Sequence, residues 1–446
     1  MRLTLKNILK IKSADVQLGG LTVITGENNS GKSTVGKILF SIVKAWRNKE
    51  FLSKIDPTSN IADTLGEIRA FFRAESINLD SLNDIPSLSA QLVSDYKLWK
   101  SVRPSLEKEV DEAGFSPRIK SKIEEKILLI SILLLQSGSP GKVFGVEFYD
   151  LCKSEFRESI ISFGESQAEV DFYDDTIDAD TCHLHFATKI NADHKPSPTV
   201  HLKGALTLSD ATFVESPVYL HILDTIRGNN MSSPSAALRI LSRAKFNTDI
   251  PFHLADMAEK LTRPYDPMPD LFSEIDKFDE LIDSIKSSIG GYFQINPESR
   301  QLTFMQGSNP VPPLSVASGI KSFGLLQRLL EGNCLSTDRI LIWDEPEIHL
   351  HPEWQIVLSN ILVKLVTLGV PVIISTHSPY FLQAIRFHAS AYGVESSTHY
   401  YHAEPDEETG LSEIHEVIDD LNQVFTRLAK PLRKIMNVDA ARNTLK

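Results

Sequence analysis

The period of apolar and polar positions changes several times along this 446-residue chain, and each change marks an element. Leu21-Thr22-Val23-Ile24-Thr25 is apolar and β-branched, the pattern of a buried strand. It runs into Gly26, and after a short loop the apolar residues of Thr34–Val43 recur at helical spacing. Residues 45–141 are dominated by helical patterns, with interruptions expected at Pro57, Pro86, Pro104 and Pro117. No heptad repeat persists there, so the stretch reads as a helical insertion, not a long coiled-coil arm. Its run Ile127–Leu135 is apolar all round a helix, which fits a core helix or a subunit interface, core being the commoner outcome. Period-two alternation returns in Ala168–Tyr173, Cys182–Phe186 and Thr199–Leu202, expected as an antiparallel sheet. Residues 223–289 read as helices with a polar loop at Gly228–Pro234. Gly291–Ile295 and Gln301–Phe304 then read as a hairpin. Two apolar strands follow, Ile340–Trp343 and Val370–Thr376. A second hairpin, Thr398–Ala403 with Leu411–Glu416, carries an acidic tip, and a helix runs on to near Asn437.

Three of the strand ends carry chemistry. Gly26-Glu27-Asn28-Asn29-Ser30-Gly31-Lys32-Ser33-Thr34 fits G-x-x-x-x-G-K-[ST] between a strand and a helix, the context in which backbone N–H groups cradle phosphate oxygens. Lys32 would reach the β- and γ-phosphates and Ser33 would ligate Mg²⁺. Ile340–Trp343 ends in Asp344-Glu345 before Pro346. Asp344 would meet Mg²⁺ directly or through water, and Glu345 would polarise the attacking water. A surface Asp-Glu pair is common, but the buried run before it and the phosphate motif upstream argue for the site. Val370–Thr376 ends at His377, placed to hydrogen-bond a γ-phosphate or the attacking water. A strand-end histidine alone is more often structural; its place after the other two motifs favours function.

The order of these pieces resembles an ABC-type ATPase head. The segment Leu314-Ser315-Val316-Ala317-Ser318-Gly319-Ile320-Lys321-Ser322-Phe323-Gly324 looks like the shortened signature of the chromosome-maintenance and OLD-type branch. Asp344-Glu345-Pro346-Glu347-Ile348-His349-Leu350-His351-Pro352 and Thr376-His377-Ser378-Pro379 resemble that branch more closely still. The resemblance implies an α/β fold: a P-loop ABC-type ATPase head with a mixed sheet and helical insertions. The head would comprise 1–44, 142–222 and 290–446, with insertions at 45–141 and 223–289. It also implies that ATP, with Mg²⁺, is sandwiched between the Lys32 loop of one subunit and the Ser318-Gly319 segment of another, Lys321 assisting. Glu345 would be the base and His377 the switch residue. Two departures stand out. The glutamine loop that normally completes the Mg²⁺ shell is not evident; its likeliest place, Ala211–Pro217, offers Glu215 and Ser216 instead. No aromatic residue near the N-terminus is placed to stack on adenine, so ATP rather than GTP rests on the resemblance alone. His349-Leu350-His351 as a metal pair is the weaker reading beside a structural turn.

Composition narrows the setting. Hydrophobic residues make up 42% and charged residues 23%, ordinary for a globular chain. Cys152, Cys182 and Cys334 are far apart in sequence, which speaks for a reducing cytoplasm and against a disulfide framework. No signal peptide is evident and no apolar run reaches a membrane span. The net charge of −12 does not indicate DNA binding by the chain alone. Its basic clusters, Arg118–Lys122, Arg427–Lys434 and Lys6, Lys10 and Lys12, read as solvated faces. The tail after His377 is too short for the nuclease domain of OLD proteins. The chain therefore looks like the stand-alone ATPase of two-gene anti-phage systems, such as the Septu or PARIS ATPase, in which a separately encoded nuclease or toxin is held. The alternative is a RecF-like DNA-binding clamp in repair. A transporter motor is disfavoured by the signature and the His-Leu-His-Pro turn. Slow hydrolysis is compatible with every motif.

Overall fold

Two burial patterns divide the main sheet. β1 (Arg2–Ile8) and β2 (Ile11–Gln17) pair antiparallel and largely alternate, with Leu3, Leu5, Ala14 and Val16 buried between wetter neighbours, so one face meets the core. β3 (Leu21–Gly26) is buried at every position. This computed structural model describes residues 1–53, 56–79, 82–135, 140–157, 160–174, 184–191, 201–217, 219–220, 250–262, 275–296, 301–417 and 421–428. Cys182, the expected loop Gly228–Pro234 and the tail beyond Leu428 lie outside the described residues.

The other strands are β4 (Gln167–Asp174), β5 (Leu184–Asn191), β6 (His201–Gly204), β7 (Asp210–Val214), β8 (Tyr292–Ile295), β9 (Leu302–Gln306), β10 (Asn309–Val311), β11 (Arg339–Asp344), β12 (Val372–Thr376), β13 (Thr398–Pro405) and β14 (Ser412–Glu416). The 11-stranded sheet has the order β6-β5-β4-β1-β2-β14-β13-β3-β12-β11-β7. From β13 to β7 all neighbours are parallel, so β3, β12, β11 and β7 point their C-terminal ends the same way. In open α/β sheets that edge is where ligands bind. β4, β5 and β6 extend the other end antiparallel, as expected from their alternation. The expected hairpin β8–β9 gains a third strand, β10, although Pro310 within it disfavours a strand. β10 is an edge strand, where a missing N–H costs little.

The helices are α1 (Lys32–Ser53), α2 (Pro57–Ala74), α3 (Ile85–Ser94), α4 (Trp99–Glu112), α5 (Pro117–Leu135), α6 (Pro140–Phe156), α7 (Phe252–Leu261), α8 (Ile275–Ile289), α9 (Ser318–Glu331), α10 (Pro352–Thr367), α11 (Pro379–Ala391) and α12 (Leu421–Leu428). The chain divides into two compact units, Met1–Val43 with Glu155–Met231 and His253–Lys446, and Lys44–Ser154 with Ser232–Phe252. In the first, Met257 and Leu261 of α7 and Leu281, Ile282 and Ile285 of α8 join Phe323, Leu326 and Leu329 of α9 in one apolar core. In the second, Ile61, Leu65, Ile68 and Phe72 form one face of α2 and meet Ile123, Ile127 and Ile130 of α5. Asp56 caps α2 through Thr58 N and Ser59 N, with Pro57 in the first turn, where its lost donor has no helical partner anyway. Pro104 behaves otherwise: α4 continues through it instead of stopping. The cost of about 3 kcal/mol is borne by the burial of Trp99, Leu106 and Val110 on either side. No described helix is long and apolar enough to cross a membrane. Cys152 and Cys334 are buried and form no disulfide among the described residues.

Candidate nucleotide and metal site

The loop after β3 is bent by residues that tolerate it. A Cβ at Gly26 would lie 2.8 Å from Ser30 Oγ, and one at Gly31, where φ is +85°, would lie 2.7 Å from Ile11 Cγ1. Asn29 takes φ +64°, a region asparagine enters at low cost. α1 then opens at Lys32 and is seated on the sheet by Gly36, whose Cβ would lie 2.8 Å from Ile342 Cγ2 of β11. Lys32 is 4% exposed, and its Nζ donates to Gly26 O at 3.2 Å and Glu27 O at 2.8 Å. Burial pulls the Lys32 ammonium down, against Glu345, Asp344 and Glu347, which favour its charge. Thr34 is buried and its N–H donates to Gly31 O, while Asn28 is exposed. Ser30 Oγ is buried with no hydrogen-bond partner, an orphaned polar atom inside the loop.

β11 and β12 bring their ends to the same place. Asp344 pairs with Ser375 across the parallel ladder and accepts a hydrogen bond from its hydroxyl. Burial pushes the Asp344 carboxyl up, opposed by hydrogen bonds from Ser375 and from Ser33 at the start of α1. Glu345 sits at φ +47° directly before Pro346, a conformation costing about 1–3 kcal/mol for such a residue. Its N–H donates to Ser375 O at 3.0 Å, which holds the strained turn. The result aims Glu345 Oε1 to within 3.7 Å of Lys32 Nζ and 3.2 Å of His377 Nδ1, the latter without hydrogen-bond alignment.

Glu347 is a residue the sequence reading gave no role. It is 4% exposed, and its Oε1 accepts from Thr376 Oγ1 at 2.6 Å, His377 N at 3.1 Å and Ser378 N at 3.3 Å. Burial raises its carboxyl against those hydrogen bonds. Glu347 thereby ties the backbone that carries His377 to the turn that carries Glu345. Its neighbour motif was visible, but the contact runs between strand ends distant in sequence.

Other predicted residues fall elsewhere. Ser318 and Gly319 open α9, with Ala317 as the residue before the first turn. A Cβ at Gly319 would lie 3.2 Å from Leu350 Cδ2 and 3.6 Å from Trp354 Cε3, so Gly319 backs onto the turn after β11. Among the described residues no hydrogen bond or ion pair joins Ser318 or Gly319 to the Lys32 loop. Lys321 is 2% exposed and burial lowers its ammonium, so it is not presented at the surface in this arrangement. His349 occupies a turn at φ +65° and His351 precedes α10, accepting from Glu353 N. No group of three or more His, Cys, Asp or Glu able to hold a metal is present among the described residues, so this pair gains no further ligands.

Glu215 follows β7, whose Val214 pairs with Trp343 of β11, and so stands beside Asp344. A hydrogen bond from His253 is the largest influence on it and, over the cost of burial and with help from Lys37, pulls its carboxyl down to about 2. Burial disfavours the charged His253 ring, but Glu155 and Glu215 prevail and raise it. Nothing local in the sequence joins residues 155, 215 and 253.

The donors present are the Ser33 hydroxyl and the Asp344 carboxylate beside it. That is an oxygen set of the kind a hard divalent cation takes, and the orphaned Ser30 Oγ suits a phosphate oxygen. The residues therefore fit a magnesium nucleotide.

Residues 189–383 match the family model described as "AAA domain, putative AbiEii toxin, Type IV TA system". No curated protein matches the chain. Among solved structures it is similar to an Smc head bound to the C-winged helix domain of ScpA, with 13% identity over 95% of this chain and 98% of that one and a TM-score of 0.42. The SMC head domain from Thermotoga maritima gives 11% identity over 94% and 98%, with a TM-score of 0.38. The Smc head with an extended coiled coil bound to the C-terminal domain of ScpA, from Pyrococcus furiosus, gives 12% over 97% and 98%, with a TM-score of 0.39. The parallel strand ends bearing Lys32, Asp344 and His377, with the family match running from β5 into α11, give an α/β fold with a P-loop at the ligand-binding edge of a large mixed sheet.

Proposed function

We propose that the chain binds and hydrolyses ATP with Mg²⁺, closes as a dimer of heads, and thereby controls a separately encoded effector, a nuclease or toxin, in anti-phage defence. The observation that carries the enzymatic part is the placement of Glu345 Oε1 between Lys32 Nζ at 3.7 Å and His377 Nδ1 at 3.2 Å. Lys32 would leave its two loop carbonyls for the β- and γ-phosphate oxygens, with the loop N–H groups of residues 28–34 around them. Ser33 and Asp344 would hold the cation, which supplies charge neutralisation between the phosphates. Glu345 would take the proton of the attacking water, and His377 would sense the γ-phosphate. Ser318 and Gly319, at the positive end of α9, would meet the γ-phosphate of a second copy. The two-component setting is supported by the matched model, whose description names a toxin of a type IV system.

The test is affinity purification of Glu345→Gln with ATP, followed by mass spectrometry. A stoichiometric nuclease- or toxin-like protein supports control of an effector. Co-purifying DNA without a protein would move the reading to a repair clamp. A wild-type chain that degrades nucleic acid unaided would end the effector proposal.

A further inference from the structure

A buried carboxylate stands behind Glu345 and His377. Glu347, in the turn after β11, offers a single oxygen, Oε1, to Thr376 Oγ1, His377 N and Ser378 N. Its other oxygen, Oε2, is buried with no hydrogen-bond partner among the described residues. A carboxylate has about four acceptor sites over its two oxygens. Crowding three donors onto one oxygen and leaving the other bare is a poor way to satisfy a buried acid. Desolvation also offsets much of what such bonds contribute to stability. The arrangement suits another task, because all the donors come from the consecutive residues 376–378 and are held as one stretch of backbone.

A second tie joins the same two segments further along. Ser378 Oγ donates to Gln355 Oε1 at 2.9 Å, and Gln355 Nε2 donates to Leu350 O at 3.1 Å. Gln355, near the start of α10, thus bridges the far end of the turn to the segment after β12. Within the turn, Ile348 N donates to Glu345 O and Leu350 N to Glu347 O, each at 3.1 Å. The turn is closed on itself and tied to residues 376–378 from both Glu347 and Leu350. His377 Nδ1 then falls between two carboxylates, 3.2 Å from Glu345 Oε1 and 3.7 Å from Glu347 Oε1. Glu347 Oε1 already has its donors, so Glu345 is the carboxylate left to pair with the ring.

We propose that Glu347, with Gln355 as its second tie, is a positioning residue for hydrolysis: it welds the backbone of His377 to the turn of Glu345 and so holds the His377 ring against the Glu345 carboxylate. The proposal rests on the ATP-hydrolysis reading above, which gives Glu345 and His377 their roles and Glu347 none. Glu347 acts through His377 and touches neither nucleotide nor cation. Misplacing a reacting group by about 1 Å costs on the order of 10²-fold in rate. The weld should therefore be felt in turnover and not in nucleotide affinity.

The test is a double-mutant cycle on the full chain, read as single-turnover hydrolysis of radiolabelled ATP with Mg²⁺, beside equilibrium nucleotide binding and melting temperature. Glu347→Gln keeps the size and one acceptor oxygen and removes the acid. It should lower the rate about 10- to 100-fold and leave nucleotide affinity unchanged. In a His377→Ala chain the same substitution should cost less than about threefold, because the group it positions is gone. Gln355→Leu should act in the same direction, by less, and lose its effect in the same background. It carries the cycle where Glu347→Gln fails to fold. A wild type that hydrolyses nothing would sink the ATP-hydrolysis reading and this inference with it. A hydrolysing wild type whose rate Glu347→Gln leaves unmoved, or lowers by the same factor with and without His377, would overturn this inference alone and leave Glu347 as a structural staple.

Discussion

Two regions of the nucleotide-binding unit carry the motif residues, and they are built differently. Lys32, Glu345 and His377 come from α1, the turn after β11 and the end of β12, and reach one another within ion-pair distances of 3.7 and 3.2 Å. Ser318 and Gly319 head α9 and back onto the turn around Leu350 and Trp354. The first region brings the groups proposed for binding and for water activation together in one copy. The second offers a helix start with no partner in the Lys32 loop of the same copy among the described residues. The difference implies that variants in the first region should act on a lone copy, and variants in the second only on closure between copies.

The largest separation should come from Glu345→Gln. It removes the base proposed above and keeps the shape, so turnover should fall about 10²- to 10⁴-fold while nucleotide affinity changes less than about threefold. Phosphate-release kinetics beside equilibrium binding will show the split. Equal loss of both would mean that Glu345 serves ground-state binding. Lys32→Ala should instead weaken nucleotide binding about 10- to 100-fold in a lone copy. Ser318→Arg sharpens the contrast from the other side. It should leave binding by the lone copy intact and lower turnover by about 10²-fold, with loss of ATP-dependent association in sedimentation. If Ser318→Arg weakens single-copy binding as Lys32→Ala does, the division into two regions is wrong.

Much of this was legible because the chemistry sits at the ends of continuous apolar runs. Leu21–Thr25, Ile340–Trp343 and Val370–Thr376 announce themselves by composition, and the candidate residues follow each run. The antiparallel strands β4 to β6 alternated clearly enough to be read. What failed to show was whatever depends on contacts between distant segments. Glu347 clamps the backbone of His377 through three hydrogen bonds that no spacing reveals. His253 joins Glu155 of another helix to Glu215, and the local patterns of both helices are ordinary. Pro104 misled because its helix is held from outside by packing. Lys321 was read by motif position, whereas its burial follows from α9 packing nearly all round.

A stability variant probes the helix apart from its chemistry. A Cβ at Gly324 would lie 2.1 Å from Phe293 Cδ2, against the ring that packs at a tilt on Phe304. Gly324→Ala should cost about 1–3 kcal/mol through overpacking, read as a lower melting temperature. At temperatures below that melt, Lys32-dependent binding should be normal, because α9 and the phosphate loop share no hydrogen bond among the described residues.

The smallest expected effect lies beside the phosphate loop and concerns pH. His402 of β13 pairs with Thr25 of β3, and its Nδ1 lies 3.1 Å from Thr25 Oγ1. Burial holds its ring below the usual histidine range, with Arg427 acting in the same direction. A base whose folded pKa is depressed binds fewer protons folded than unfolded. Its contribution is therefore present above the unfolded value, about 6.5, and is lost as pH falls through that value toward the folded one. The wild type should lose melting temperature on acidification across this window more steeply than His402→Gln, and the two slopes should match again below the folded pKa. Melting scans at closely spaced pH values in constant ionic strength will show it. Because Thr25 leads directly into Gly26, acid should also weaken nucleotide binding before it unfolds α9. Parallel loss of both in His402→Gln would place the acid sensitivity elsewhere and remove this distinction between the two regions.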